Sequence, residues 1–339
     1  MVALTCFAVL ALGGCKEKET VVGPTPVDPN AGKSALERAW PNEDGRAWEY
    51  AATERTWWGG YSDSLYPTPG DVPSLTIGQV AALLESHPIG DGATTTKYVY
   101  GLRFNGMITT GSGAVGQNLE STLSPDTSAA SALVSNQALS SEGFLARLAS
   151  ARPDLRSRIE RLRPSLRRNA GAAVSVIGGP MLLMSYAWAR TLEWIGSYGA
   201  LNTDVAWKYL VANLTTGSEF TLQLVPDLAD DVFLHGRMLA PMTIVTESGT
   251  YSRALVCAYL VDFGLSAATD PDGNELGYRR EYTYGAIAYA RDIGPVFCYE
   301  RDGVQAGSPP GIGHSDWSIS LRSVTPGPTT TAGRFFPGK

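Results

Sequence analysis

From Met181 to Arg322 the sequence repeats one device: a short run of aliphatic, β-branched and aromatic residues, closed by turn residues. The runs are Met181–Trp188, Arg190–Tyr198, Ala206–Val211, Glu219–Val225, Met242–Thr246, Tyr251–Phe263, Arg279–Ala290, Val296–Tyr299 and Asp316–Arg322. Val, Ile, Tyr, Phe and Trp fit a pleated, half-buried surface, and Gly, Pro, Asn and Asp supply the reversals between strands. In the last run, DWSISLR, Trp317, Ile319 and Leu321 alternate with polar residues, the period of a strand with one buried face. Asp272-Gly273-Asn274 and Ser248-Gly249 read as hairpin turns. The spacing predicts a mainly β (α+β) protein built on an antiparallel meander, either a curved sheet or an open half-barrel.

Upstream, the pattern is mixed. Arg46–Trp57 and Lys97–Met107 read as strands, and Thr76–Ser86 as a short helix stopped near Pro88. Residues 34–123 are therefore expected to form a small α+β unit. Residues 124–175 differ in kind. Leu145, Leu148, Leu155, Ile159 and Leu162 make an apolar stripe at helical spacing, interrupted by Pro153, which predicts two short amphipathic helices in an Arg-rich connection. Residues 176–326 then form the antiparallel β domain, and 327–339 a flexible tail. Asn169–Ala189 is uncharged, but Gly178-Gly179-Pro180 at its centre would break a spanning helix.

The amino-terminal segment reads as an address. Val2–Leu12 is an apolar run of signal-peptide length, too short to span a bilayer, although no Lys or Arg precedes it. It ends in Leu12-Gly13-Gly14-Cys15, which resembles the lipobox of bacterial lipoproteins. The resemblance implies that residues 1–14 are a removed signal peptide and that Cys15 carries lipid. Residues 15–33 follow as a charged, then Pro-rich tether. Lys16, rather than Asp, follows the cysteine, which by the sorting rule of such proteins implies the outer membrane or cell surface. GTYSRALVCAYLVDF, GYRREYTYGAIAYARDIGPVFCYE and the opening strand GRAWEY also resemble uncharacterised β-rich bacterial lipoproteins. By fold analogy alone, their sheets look like the half-barrels of periplasmic lipoprotein carriers.

Of the four cysteines, Cys6 lies in the leader and Cys15 in the lipobox, leaving Cys257 and Cys298. Both sit in strand-like runs, and a disulfide between neighbouring strands is expected. Such a bridge would close a loop of roughly 40 residues, worth about 4 kcal/mol in the chain-entropy model.

The sequence offers little chemistry. His87, His235 and His314 are the three histidines, and none has HxH or HxxxH spacing. His314-Ser315-Asp316 cannot all face one centre on a strand. Gly111–Gly116 matches G-x-G-x-x-G, but Gln117–Leu123 does not read as the helix a dinucleotide site needs. Asp270–Glu275 fits a hairpin better than a calcium loop. No catalytic, metal or cofactor residue is assigned. Trp57, Trp58 and Tyr61 are the candidate binding loop, since aromatics outside a periodic element can anchor a sugar or a partner. A formal charge of −6 argues against nucleic acid. Arg147–Arg168 is the exception, with eight Arg against Asp154 and Glu160. The function expected is a non-catalytic binding or envelope-structural role for a membrane-anchored lipoprotein, with an envelope protein as one kind of partner. The alternatives are a carrier of an apolar ligand and an envelope-polymer hydrolase.

Overall fold

A computed structural model describes residues 38, 41, 43–56, 65–84, 94–109, 115–126, 148–161, 215–225, 228–305 and 315–327. Ten strands are defined among them: β1 (Ala47–Thr56), β2 (Thr94–Thr109), β3 (Val115–Pro125), β4 (Glu219–Gln223) and β5 (Phe233–Met238), followed by β6 (Met242–Thr246), β7 (Gly249–Thr269), β8 (Glu275–Ala290), β9 (Gly294–Gln305) and β10 (Ser315–Thr325). They form one open sheet in the order β3-β2-β1-β10-β9-β8-β7-β5-β4, with β6 paired to the start of β7. Every pairing is antiparallel. The fold is thus the expected β-rich curved sheet, not closed into a barrel. Strands from the 34–123 and 176–326 segments share this sheet, joined where β1 pairs with β10 from Ala47↔Thr325 to Thr56↔Ser315.

Strands β7, β8 and β9 are the centre. From Val256 to Phe263 every residue of β7 is buried, as is every residue of β8 from Glu281 to Ala290. Burial on both pleat faces explains why these stretches read as nearly continuous apolar and aromatic runs. On one face, Cys257, Tyr259, Ile287, Cys298, Ile319 and Tyr50 lie in the main core cluster. On the other, Leu260, Tyr282, Tyr284 and Tyr299 pack with Val80 of α1 (Ile77–Leu83). Thr76 caps that helix: its hydroxyl accepts from the Gln79 N–H while the Gln79 side chain accepts from the Thr76 N–H. The strap leading to α1 is held by reciprocal Tyr66–Tyr278 backbone bonds and by the Leu75 N–H donating to the Tyr282 hydroxyl at 3.0 Å.

The amphipathic stripe falls as expected within the described residues. Residues 148–151 and 156–161 are helical, with the 3-10 turn Pro153–Leu155 between them. Leu148, Leu155 and Ile159 are buried in the same cluster as the sheet. Leu145 and Leu162 lie outside the described residues, as do the runs expected between Met181 and Val211.

Two strands were not foreseen. β3, of sequence VGQNLESTLSP, lies at the edge of the sheet among the described strands, and its polar residues carry no strand signal within the expected 34–123 unit. Edge strands tolerate this because one side meets no partner strand. β5 is only six residues long and contains Gly236, whose missing Cβ is filled by the Phe220 ring at 2.1 Å. β7 also runs past the expected Phe263, because a bulge between Asp262 and Leu265 lets it bend and continue. Gly264, at φ +80°, serves that bulge, and a Cβ there would meet the Asp231 carboxylate at 2.3 Å.

Ile159→Ala removes a fully buried side chain beneath the sheet and is expected to cost about 2–4 kcal/mol in chemical denaturation. Arg156→Ala, exposed on the same segment, should stay within about 0.5 kcal/mol.

Candidate functional site

The double burial of β7–β9 forces a decision on every polar residue these strands carry, because an unpaired buried charge costs several kcal/mol. On the face of the main core, one sheet row runs Met238, Cys257, Ile287, Cys298, Ile319 and Ala52 across neighbouring strands. The next row holds Tyr259, Gly285, Glu300, Trp317 and Glu54. The Tyr259 hydroxyl reaches over Gly285 and donates to the Glu300 carboxylate. A Cβ at Gly285 would meet the Tyr299 carbonyl oxygen at 2.0 Å and the Tyr259 hydroxyl at 2.9 Å. Burial, and then the Glu300 charge, push the Tyr259 hydroxyl well above its ordinary titration range, so it stays a donor. Further along this face the half-buried Tyr98 and Trp317 rings stack at 5.6 Å, and Tyr98 donates to Glu54 at 3.1 Å.

On the opposite face, Arg301 is fully buried and donates to Asp316 at 3.0 Å. It also bonds the Tyr284 hydroxyl and lies over the Tyr299 ring. Nearer the β7 bulge, Asp262 accepts from the Gly264 N–H at 2.8 Å and faces Arg280 at 3.4 Å. Burial raises the Asp262 carboxyl to about 6, against the opposing pull of Arg280. Beside it, Arg152 joins Asp154 and Asp231 and donates to the Phe263 carbonyl. The second Asp231 oxygen accepts from the Leu265 N–H, so the helical segment and the bulge are fastened by one carboxylate.

These groups hold charge in place. Tyr259, Glu300, Arg301 and Asp316 are each at most 2% exposed, so a substrate cannot touch them without the sheet opening. Among the described residues, no group of three His, Cys, Asp or Glu side chains is arranged to hold a metal ion. The core beneath the sheet is occupied by the chain's own Leu148, Leu155, Ile159, Leu224, Val225 and Leu228.

The predicted site residues fare differently. Cys257 and Cys298 are buried and are not bridged to each other, so the expected disulfide is not supported. Both pair with Ile287, Cys257 from β7 and Cys298 from β9, so β8 runs between them. Two strand spacings separate them by roughly 9.5 Å, beyond the ~7 Å that a disulfide's Cα atoms can span. The signal was in the sequence: the first and third strands of a meander are not neighbours. His235 sits on β5, its Nδ1 2.9 Å from the Thr221 hydroxyl, and burial followed by the Arg280 charge lowers its pKa. Asp316 faces Arg301 at 3.0 Å. Asp270 is spent on its own turn, accepting from the Asn274 backbone and side chain, as a hairpin requires. Gln117–Leu123 lies in β3, so no helix follows the Gly-rich match. Cys15, Trp57, Trp58, Tyr61, His87 and His314 lie outside the described residues. The Glu300–Tyr259 and Arg301–Asp316 pairs have no signal in the sequence, because the apolar run of β9 ends at Tyr299 while the strand continues through charged residues to Gln305.

In native protein neither Cys257 nor Cys298 should react with an alkylating agent. Burial pushes Cys257 up to about 12 and Cys298 well above its usual value, with the Glu300 charge adding to the latter. In denaturant without reductant both should be labelled, as mass mapping would show; a bridged pair would take no label. A second expectation concerns pH. Asp262 titrates near 6 folded against 3.8 ordinarily, so its ionisation disfavours the fold. Stability should fall as pH rises from about 4 to about 6, by about 1–3 kcal/mol from this group. Asp262→Asn should raise the melting temperature at pH 7 and flatten that part of the profile.

No family model matches the chain, and no curated protein matches it either. Solved structures that match include a candidate lipoprotein of Parabacteroides distasonis ATCC 8503, at 8% identity and TM-score 0.28, covering 85% of this chain and 98% of that one. They also include a candidate exported protein with a YmcC-like fold from Bacteroides fragilis NCTC 9343, at 9% identity and TM-score 0.29, covering 84% and 98%. At these scores the likeness assigns no role to the present chain.

Proposed function

We propose that this chain is an exported lipoprotein, anchored through lipid on Cys15, with a non-catalytic binding or structural role in the bacterial cell envelope. The observation that carries the reading is Leu12-Gly13-Gly14-Cys15 closing an apolar run, followed by the charged and Pro-rich Lys16–Lys33. Lys16 after the cysteine favours the outer membrane or cell surface. The polar side chains at the centre of the sheet are tied to one another in a water-poor core, whereas acid–base chemistry needs a group within reach of a substrate. His235, the described histidine, meets a threonine hydroxyl instead of a carboxylate in hydrogen-bond range. The packed side chains under the sheet occupy the space that a carrier would keep for an apolar ligand.

Cys15→Ser, or a globomycin-type block of lipoprotein processing, should shift the protein from the membrane fraction to the soluble fraction. Unchanged membrane fractionation of the Cys15→Ser chain would overturn the anchor.

A further inference from the structure

Segment 148–161 is committed on one side and open on the other. Leu148, Ala151, Leu155 and Ile159 are buried in the sheet core, whereas Arg156, Arg158 and Arg161 are exposed. Arg152 stands apart from these three: it turns inward to Asp154, Asp231 and the Phe263 carbonyl, and so belongs to the fold. Arg161 donates to the Ser157 carbonyl of its own segment. Of the two acids in the surrounding stretch, Asp154 is held by Arg152 and Glu160 is exposed. Arg147–Arg168 carries a net +6 in a chain of formal charge −6, so the remainder carries −12. Among the described residues of the segment, exposed Arg156, Arg158 and Arg161 outnumber Glu160, the exposed acid that Arg152 does not hold, so this face attracts a negative surface.

We propose that the Arg156, Arg158 and Arg161 face docks on anionic lipid headgroups. The proposal rests on the lipid-anchor reading: a chain tethered at Cys15 has a membrane within reach, and an acyl anchor plus a polybasic patch is the two-signal arrangement that holds a protein stably at a bilayer. Guanidinium groups pair well with phosphate oxygens. The apolar side of the segment is already spent on the core, so the contact is electrostatic and lies at headgroup level, without insertion of the helical segment.

The test uses the full chain carrying Cys15→Ser and vesicles of phosphatidylcholine, alone or with about one-third phosphatidylglycerol. Co-sedimentation should be at least about tenfold stronger on the anionic vesicles and should vanish near 1 M salt, where screening shortens the Debye length to about 3 Å. Combined R156E, R158E and R161E should lose the anionic preference while keeping the parent melting temperature. Combined R156K, R158K and R161K should retain it. Equal binding to neutral and anionic vesicles, or undiminished binding by the Glu variant, would overturn the proposal. So would tighter binding to a DNA duplex than to the anionic vesicles, which would reassign the face to nucleic acid. Vesicle binding together with failed release by Cys15→Ser removes the anchor and leaves the docking face; the reverse result removes the face alone.

Discussion

Burial of β7, β8 and β9 on both faces is the constraint from which the rest of the structure follows. A strand with one wet face can hold its polar residues there, but these strands have no wet face along their middle third. Each polar side chain must therefore find a partner inside. Tyr259 reaches Glu300 across the gap left by Gly285, and Arg301 meets Asp316 on the next strand. Removing one partner of such a pair leaves a charge in a low-dielectric core, at a cost of about 3–5 kcal/mol. These contacts fix register as well as charge, because a one-residue slip would carry every member to the opposite face.

Covering both faces takes structure from elsewhere in the chain. On one side, α1 lies over β7 and β5, and the strap before it lies on β8, pinned at Tyr278 and Tyr282. On the other, segment 148–161 supplies the apolar residues that the sheet alone lacks. Its attachment converges on the β7 bulge. Gly264 bends the strand, Asp231 binds both Arg152 and the Leu265 N–H, and Asp262 is left ionisable near pH 6. The same segment turns its remaining arginines outward, so one element supplies core to the fold and a basic face to the surface.

Much of the fold was legible in the sequence because two-sided burial writes long apolar, aromatic runs that survive local noise. The pattern gives β6 to the residue, β7 and β8 with the turns at Ser248-Gly249 and Asp272-Gly273-Asn274, and most of β10. The elements that escaped carry weak patterns for physical reasons. β3 is a polar edge strand, and β5 is short and centred on a glycine that makes room for Phe220. The buried ion pairs escaped because charge in sequence reads as exposure, and only a neighbouring strand shows that Arg301 has Asp316 to meet.

The sequence alone determined the class of fold, the positions of most central strands, the helical stripe around Pro153 and the lipobox-like pattern at Cys15. These follow from local periodicity and local motif chemistry. The tertiary structure decided strand order and what that order brings together. Cys257 and Cys298 show the difference. Each was correctly placed in a strand, yet whether they bond depends on β8 lying between them. Pairing order is set by burial across the whole sheet, which no single window of residues contains.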